Sequence, residues 1–482
     1  MKCIALAFLV GLAVPVGVAA NDKSPALHEA TTEAGTRFVS LEPLTIDALR
    51  QRGFGSTLRV ESDLSKSSAA SDYAAKFFSD GKRPYVSTLA SYRSDGLRLY
   101  ARIDIPDAPP PPEGYPVIVF MHGWVGYDAA KEFHFSYTPA SMYAEMIDAY
   151  AKAGFVVLTP GYRGHGTVNG VVADGRASMA AWDNATHVSP ILYAIDTLNL
   201  IEGLKSLERI DWRQWGHGSR HLRLNLRRLS VSGHSQGGDV ALIVLAVAGR
   251  GSRVVNRPQA GSIMSGTFPD RFAQVETFRP MEETAQSFLS GDGNWTGSAI
   301  GRNGSVNPHF IFGWPSDSIE NVEPATWTWQ NQKYAKASVR EVVQAEYSEM
   351  YDRLREQVGD LRDAQFLVVA NDTAKGYAVN HDLRVWSIMQ RLGAFQRAQL
   401  ITARLSLHFP DRDYYSLPSW NHDLCGRISQ TGGQCKAYEY PGNTHVLRLS
   451  KRGWFSPPGS QEAYRLIIER DLAEFARKRA SR

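Results

Sequence analysis

A serine flanked by glycines is the feature of this sequence whose residue types and spacing best suit chemistry. It lies in Gly233-His234-Ser235-Gln236-Gly237, between an apolar run that predicts a buried strand and one that predicts a buried helix. A serine on so sharp a strand-to-helix turn needs small neighbours, because the backbone is strained and the hydroxyl must project into a cleft. The pattern predicts that Ser235 is a nucleophile for acyl transfer. The alternative is a glycine-rich turn without chemistry.

Such a serine needs a base, since a hydroxyl is a poor nucleophile while it keeps its proton. Along the chain, serines on such turns are followed first by an acid and then by a histidine, which lies after the last strand. His445, directly after Tyr440-Pro441-Gly442-Asn443-Thr444, holds that place and is the predicted base. Other histidines after Ser235 fall in a central insertion or its edge, at a strand end or on a helix: His309, His381, His408 and His422.

Two aspartates compete to be the acid that orients His445. Asp411 and Asp413 both lie in the loop expected after the penultimate strand. Asp413 is preferred, because this turn usually presents its carboxylate just before a segment ending in proline, here Pro418. Asp372 also follows a strand-like run, but a capping or turn role suits it better. The predicted acid is therefore Asp413, with Asp411 as the alternative.

Acyl transfer also needs two backbone N–H groups where negative charge develops on the substrate oxygen. Gln236, directly after the nucleophile, predicts one donor. Trp124 predicts the other, because it follows an early strand within His122-Gly123-Trp124, where glycine lets the backbone approach a substrate. His122 is expected to support that loop rather than transfer a proton. No metal-ligand pattern is present and Gly161–Gly166 lacks the spacing of a nucleotide-binding loop, so neither metal nor cofactor is predicted.

Alternating strands and helices must position these residues. Ser94-Asp95-Gly96 predicts a hairpin turn, and a break of four consecutive prolines follows it before the buried strands begin. Continuous apolar runs are typical of strands buried on both faces of a parallel sheet. The predicted strands are Pro116–Met121, Phe155–Leu158 and Leu226–Val231, and the predicted helices are Ser141–Lys152, Pro190–Leu207 and Asp239–Ala248. This order predicts an α/β fold with a mostly parallel central sheet and helices on both faces.

The chain of 482 residues exceeds the size at which one hydrophobic core usually stops growing. The alternation fails between about 267 and 400, which predicts a cap inserted over the carboxyl edge of the sheet. Its tryptophans either line a substrate cleft or form the cap's own core, and the second interpretation is preferred. The expected segments are a signal peptide at 1–20, an N-terminal extension at 21–86, the first part of the core at 87–266, the cap at 267–400 and the second part of the core at 401–482.

The first twenty residues have the pattern of a signal peptide. Lys2 supplies the positive start, Ile4–Val18 is nearly all apolar, and Val18-Ala19-Ala20 offers small residues for cleavage. An uncleaved membrane anchor is the alternative, although the apolar run is short for a span. The sequence therefore predicts a secreted or periplasmic protein with no stable membrane insertion.

Cysteine usage fits export. Cys3 would leave with the signal peptide, and Cys425 and Cys435 would remain. An even pair in an exported chain predicts a disulfide, with two free thiols as the alternative.

The overall charge indicates no charged macromolecule as a partner. The 53 basic and 49 acidic residues give a formal charge of +4, too small to create a strong global field. Nucleic acid is therefore not expected as a partner. The sequence makes no prediction about the oligomeric state.

Several motifs, in their order, resemble the catalytic domain of the prolyl oligopeptidase family and its bacterial acyl-esterase-like relatives. They are Tyr92-Arg93-Ser94-Asp95-Gly96-Leu97, Met121-His122-Gly123, Tyr162-Arg163-Gly164-His165-Gly166, Gly233-His234-Ser235-Gln236-Gly237-Gly238 and Tyr440-Pro441-Gly442 before His445. The resemblance covers roughly 86–266 and 401–450 and implies an α/β-hydrolase fold with a Ser-His-Asp serine hydrolase site. True prolyl oligopeptidases carry a long β-propeller before the hydrolase domain. The stretch before the first predicted strands here is too short for a propeller, so none is expected.

The resulting hypothesis is a serine hydrolase that cleaves a carboxylic ester through an acyl-enzyme. A peptidase or aminopeptidase that cleaves the amide of a short peptide is the alternative, and a non-catalytic binding protein on the same scaffold is a remote one. The binding protein would be expected to lose the serine or the histidine, and this sequence keeps both. Dehalogenase or epoxide-hydrolase chemistry would need an aspartate in place of Ser235.

Overall fold

The fold is known from a computed structural model. It describes residues 29–32, 35–66, 82–131, 143–182, 186–277, 339–371, 376–410, 416–440, 445, 447 and 461–477. The predicted signal peptide, Asp372, Asp411 and Asp413 lie outside the described residues, as does most of the tryptophan-rich part of the predicted cap.

Fifteen strands occur in the described residues: β1 Glu29–Thr32, β2 Gly35–Phe38, β3 Arg59–Asp63, β4 Tyr85–Ser94, β5 Leu97–Pro106, β6 Tyr115–Met121, β7 Val156–Pro160, β8 Thr167–Val168, β9 Val171–Val172, β10 Leu224–His234, β11 Ala260–Met264, β12 Phe366–Asn371, β13 Gly376–His381, β14 Arg404–Pro410 and β15 Cys435–Tyr440. The α-helices described are α1 Ile46–Gln51, α2 Tyr127–Lys131, α3 Ala144–Lys152, α4 Arg176–Ala181, α5 Ser189–Gly203, α6 Gln236–Val247, α7 Arg271–Thr277, α8 Val339–Gln357, α9 Leu383–Leu392, α10 Pro418–Gln430 and α11 Gln461–Ala476. Short 3₁₀ turns occur at Glu42–Leu44, Leu64–Lys66, Leu204–Arg209, Trp212–Trp215, Gly359–Leu361 and Phe395–Leu400.

Nine of these strands form one central sheet in the order β15-β14-β11-β10-β6-β7-β5-β4-β3. The six strands from β15 to β7 run parallel to one another. The three remaining strands are antiparallel to their neighbours, and the predicted hairpin joins β4 to β5. Asp95 and Gly96 at its turn have φ values of 51° and 81°, the positive values that a two-residue hairpin of this kind requires.

The chain leaves β6 toward β7 on one side and returns to β10 on the other, so the strand order reverses between β6 and β10. Ligands of open parallel sheets bind beyond the carboxyl ends of the strands at such a reversal. The loop after β6 and the turn after β10 carry the predicted oxyanion donors and nucleophile. The topology therefore brings these two segments together.

Side chains alternate between two buried layers. Val117 and Val119 of β6 join a core with helices α5 and α6, whereas Ile118 and Phe120 join a second core with helices α3 and α11. Every residue of α6 is buried, as its uniformly apolar sequence predicts. The prediction of a mostly parallel sheet with helices on both faces is confirmed, and with the strand-to-helix turn described below this is the α/β-hydrolase fold.

Parts of the predicted extension and cap also contact the core. Within the extension, β3 pairs with β4 at the edge of the sheet, and α1 packs against α6. Within the predicted cap, α8, α9 and the hairpin β12–β13 are described, and the turn Phe395–Leu400 packs against α6. The division into extension, core and cap stays a prediction.

The predicted disulfide between Cys425 and Cys435 is confirmed, and it joins α10 to the start of the edge strand β15. None of the described helices combines the length and the hydrophobicity that a membrane span requires.

Candidate active site

Ser235 stands at the turn between β10 and α6 in a backbone conformation that residues with side chains rarely adopt. Its φ is 54° and its ψ is −126°. Its N–H donates to the Met264 carbonyl over 2.9 Å, and its own carbonyl accepts from Gly238 N–H over 2.7 Å. A methyl group at Gly233 would lie 2.2 Å from the Gly237 carbonyl oxygen, so the tight turn requires glycine there. A non-glycine residue held at positive φ is typical of strained functional sites.

The start of α6 also lies directly against the loop after β6. A methyl group at Gly237 would lie 2.2 Å from the Met121 carbonyl oxygen and 2.4 Å from that of His122. Because Gln236 precedes Gly237, its backbone amide and the His122-Gly123-Trp124 loop are close neighbours. This is the arrangement that two oxyanion donors on separate segments require.

His445 lies beside the nucleophile. Its Nε2 is 2.9 Å from Ser235 Oγ, within hydrogen-bond distance. A base must reach the proton that it removes, and this distance allows the transfer. The residue follows β15, the strand at the edge of the sheet.

The acid of the proposed triad lies outside the described residues. Asp411 and Asp413 follow β14, which ends at Pro410 and lies between β11 and β15. The choice between them stays a prediction, as does the weaker candidate Asp372.

The loop after β6 has one amide already engaged. Gly123 N–H donates to the Tyr143 hydroxyl over 2.9 Å. Trp124, whose side chain is 53% exposed, supplies the next amide along the loop. This arrangement fits Trp124 as the loop's oxyanion donor, which stays a prediction.

His122 has the environment of a structural histidine. It is buried, and its Nδ1 lies 2.8 Å from the Gly123 carbonyl oxygen. Burial, and then the neighbouring His165, lower the pKa of His122 to about 3. The ring is therefore neutral at physiological pH and packs against the ring of Tyr162, with 4.4 Å between centroids.

A buried carboxylate lies one helical turn after the nucleophile. Asp239 accepts hydrogen bonds from the backbone N–H of Thr267, over 2.7 Å, and from its hydroxyl. Burial raises the pKa of Asp239 to about 7, although the bonds from Thr267 and the charge of His445 act to lower it. His187 Nε2 is 3.5 Å from the carboxylate, and burial lowers the pKa of His187 to about 4. At neutral pH the cluster therefore holds a carboxyl group that keeps its proton more readily than an ordinary aspartate, and an uncharged histidine.

Sequence reasoning did not single out Tyr143, His234 or Asp239. Tyr143 O–H lies 2.8 Å from His234 Nδ1, and His234 Nε2 lies 3.0 Å from the His445 carbonyl oxygen. An aspartate inside an otherwise apolar helix is a signal that could have pointed to Asp239, because such a carboxylate must be buried. Tyr143 carries no such signal, since its partners are distant in the chain.

The Gly161–Gly166 segment forms a turn after β7, and a buried ion pair fixes it. The guanidinium and backbone N–H of Arg163 donate to Asp196 on α5, with Nη2 2.8 Å from Oδ1. Ser94 Oγ donates to the same carboxylate over 2.7 Å. The segment is thus tied to the hairpin and to α5.

Three of the other histidines after Ser235 contact groups that are not part of the proposed triad. His408 contacts the Tyr440 hydroxyl, the exposed His422 contacts Glu439, and His381 packs among the aromatic rings of Tyr351 and Trp386. Over the residues that the structure describes, no group of three or more His, Cys, Asp or Glu side chains could hold a metal ion.

No protein-family model matches this chain, and a search of curated proteins finds no match. Solved structures of similar shape exist. An acylaminoacyl peptidase from Pyrococcus horikoshii has 14% identity and a TM-score of 0.44 over 85% of this chain, which spans 44% of the peptidase's length. An acetyl xylan esterase from Paenibacillus sp. R4 has 13% identity and a TM-score of 0.44, and covers 91% of this chain and 97% of its own.

A second acetyl xylan esterase, from Thermoanaerobacterium sp. JW/SL YS485, has 13% identity and a TM-score of 0.44, with 90% of this chain and 96% of its own covered. Likeness at this level carries no information about a shared reaction or substrate. The functional argument therefore depends on the geometry of this chain alone.

Proposed function

We propose that this protein is a serine hydrolase in which Ser235 is the nucleophile and His445 the general base. The observation that carries the proposal is the 2.9 Å contact between His445 Nε2 and Ser235 Oγ, made by a serine with a φ of 54° at a strand-to-helix turn. Strain at a single serine, together with a base within reach, is the arrangement that activates a hydroxyl for attack.

In the proposed reaction, His445 removes the proton as Ser235 Oγ attacks a carbonyl carbon. The N–H groups of Gln236 and Trp124 bind the oxyanion that develops, and Asp413, or Asp411, orients the imidazole. His445 then donates the proton to the leaving group, and water repeats the sequence on the acyl-enzyme. No cofactor takes part in these steps.

Within this class we propose a carboxylic ester as the substrate. An ester is intrinsically easier to cleave than a peptide amide, because its alcohol is a better leaving group than an amine. A site with a serine, a base and two backbone N–H donors therefore cleaves an ester more readily than a peptide amide. A peptide amide is the alternative, and a substrate panel separates the two.

Export is part of the proposal. The pattern at 1–20 supports it, and the disulfide between Cys425 and Cys435 is compatible with an oxidising compartment. Fractionation of cells that express the full chain, with N-terminal sequencing of the product, tests it. A mature chain that begins near Asn21 outside the cytoplasm is the expected result, and a full-length cytoplasmic chain would contradict it.

The test of the catalytic proposal is labelling with a fluorophosphonate probe. We expect the wild type to be labelled, and Ser235→Ala and His445→Ala to lose labelling. Ser265→Ala is the matched control, because Ser265 is also a buried serine with positive φ, at the carboxyl end of the adjacent strand β11. This variant should keep its label.

A panel of p-nitrophenyl esters and aminoacyl anilides then measures kcat/KM for the two substrate classes. Preference for the esters is expected, and a preference for the anilides would replace the ester by the amide. A folded wild-type protein that does not react with the probe would contradict the catalytic proposal itself.

A further inference from the structure

A chain of hydrogen bonds joins the oxyanion loop to the backbone of the proposed base, and it passes through the residue before the nucleophile. Gly123 N–H lies 2.9 Å from Tyr143 Oη, Tyr143 Oη lies 2.8 Å from His234 Nδ1, and His234 Nε2 lies 3.0 Å from the His445 carbonyl oxygen. Tyr143 immediately precedes α3, so this series of hydrogen bonds connects four separate segments of the fold.

The direction of each bond follows from its end groups. The His445 carbonyl can only accept, so His234 Nε2 carries a proton and donates it. In neutral His234 the other nitrogen then accepts, which makes the Tyr143 hydroxyl its donor. The Tyr143 oxygen in turn accepts from Gly123 N–H. Donors and acceptors therefore run in one direction from the loop to the base.

Packing restricts these groups to their places. His234 is 4% exposed, and its ring lies 5.1 Å from the ring of His445. The ring of Tyr143 packs 5.1 Å from that of Phe120 on β6. A methyl group at Gly123 would lie 3.0 Å from the Tyr143 hydroxyl and 3.3 Å from His234 Nδ1, so an alanine there would push against both residues that follow in the series of bonds.

We propose that Tyr143 and His234 are positioning residues, which hold the oxyanion loop and the His445 backbone in register with Ser235. This inference rests on the proposed function. The bond from Gly123 N–H to the Tyr143 hydroxyl fixes the loop, and with it the backbone amide of the next residue, Trp124. With its carbonyl bound to His234, His445 is fixed at the same turn that carries the nucleophile.

Tyr143→Phe tests the inference, since it removes one hydroxyl and keeps the ring. Loss of one complete oxyanion donor lowers kcat by about 10²–10³-fold. Displacement of the loop should cost less, so we expect kcat on the preferred substrate to fall about 10- to 100-fold, with KM within about twofold of wild type. A merely structural role would lower stability and leave kcat per folded molecule unchanged.

Tyr150→Phe is the matched control. Tyr150 lies on α3, is buried and donates one hydrogen bond, to Asp471 over 2.6 Å. The control should lose at least as much thermal stability as Tyr143→Phe, because it removes a hydrogen bond to the buried Asp471 carboxylate. Its kcat should stay at the wild-type value.

Two substitutions of His234 separate the halves of the chain of bonds. An asparagine can replace Nδ1 as the acceptor for Tyr143, whereas a glutamine can replace Nε2 as the donor to His445. We expect each of His234→Asn and His234→Gln to lower kcat, and Tyr143→Phe to lower kcat further in the asparagine variant than in the glutamine variant.

The outcomes distinguish this inference from the proposed function. A kcat of Tyr143→Phe within twofold of wild type, or a fall no larger than that of Tyr150→Phe, would overturn the positioning role while probe labelling still supports Ser235. A wild-type protein that neither reacts with the probe nor cleaves any substrate would instead remove the proposed function.

Discussion

Replacement of Asp239 by asparagine should make the protein more stable at alkaline pH. The residue is 2% exposed, and burial raises the pKa of its carboxyl group from an ordinary value of 3.8 to about 7. The shift is about three units, and one unit corresponds to 1.36 kcal/mol, so ionised Asp239 destabilises the fold by about 4 kcal/mol. Asparagine carries no charge and avoids this cost.

The sign follows from linkage. A carboxyl whose pKa is higher in the folded state binds its proton more tightly there, so the folded state loses stability as pH rises from about 4 to about 7. Below that window Asp239 is protonated in both states and the cost vanishes. His187, 3.5 Å away, has a pKa lowered to about 4, so it makes the folded state more stable as pH rises through much of the same window. Wild type and Asp239→Asn both keep His187, so this contribution is absent from the difference between them.

The asparagine oxygen can still accept from Thr267 N–H. Loss of the carboxylate oxygen that accepts from the Thr267 hydroxyl should cost about 1 kcal/mol. The net gain above pH 8 is therefore about 3 kcal/mol. For a chain of 482 residues the entropy of unfolding is about 1 kcal/mol per kelvin, so Tm should rise by about 3 °C.

Calorimetry of wild type and Asp239→Asn from pH 5 to 8.5 measures this difference. Asp211→Asn is the control, because bonds from Arg213 hold the pKa of this partly exposed carboxyl below the ordinary value, so it is ionised in the folded and unfolded states throughout this pH range. The Tm difference between that variant and wild type should therefore stay constant from pH 5 to 8.5. A Tm difference for Asp239→Asn that is flat with pH, or that favours wild type at pH 8.5, would refute the reasoning.

Two further substitutions test the scaffold of the site. Arg163→Met should lower the free energy of unfolding by about 3–5 kcal/mol, because it removes the guanidinium that pairs with the buried Asp196 carboxylate. Urea unfolding measures this loss, and Asp196→Asn in the same chain should restore part of it. Gly237→Ala should abolish probe labelling and lower Tm, because its methyl group would meet the Met121 carbonyl at 2.2 Å; Gly55→Ala, with open space at that position, should leave both unchanged. Wild-type labelling in Gly237→Ala, or full stability in Arg163→Met, would contradict these arguments.

The buried parallel strands and the turn at Ser235 were predictable because their sequence signals are local. A continuous apolar run such as Pro116–Met121 indicates a strand buried on both faces, and glycines on either side of Ser235 indicate a tight turn. The hairpin at Asp95 and Gly96 depends on the same kind of short-range chemistry. These elements fix the fold class without knowledge of any tertiary contact.

The strand β3 was not predictable on those grounds. It lies at the edge of the sheet, and its residues Arg59–Asp63 are mostly polar and only partly buried. An edge strand needs no apolar pattern, since one side faces no partner strand. Its place is set by pairing with β4, which local sequence does not reveal.

The contacts around Ser235 were hidden for a related reason. Tyr143 meets His234 across 91 residues of sequence, and Thr267 meets Asp239 across 28. Such pairs depend on the strand order, because the sheet alone brings the loops after β6, β10 and β11 to one edge. Only the types of these residues, not their partners, can be read along the chain.

The turn at Ser235 needs support, because a strained conformation costs about 1–3 kcal/mol and persists only when its surroundings fix it. Two of the supports come from the chain at and just after β11: the Met264 carbonyl accepts from Ser235 N–H, and Thr267 binds Asp239 through two donors. A carboxylate that destabilises the fold when ionised is thus placed where it fixes the first turn of α6. Ionised Asp239 and protonated His445 attract each other, so Asp239→Asn removes an interaction between the two groups and should change the pH dependence of kcat/KM. A gain of stability together with an altered pH profile is the expected sign of a site that exchanges stability for function. An unchanged profile would show that Asp239 acts on the backbone of the turn alone.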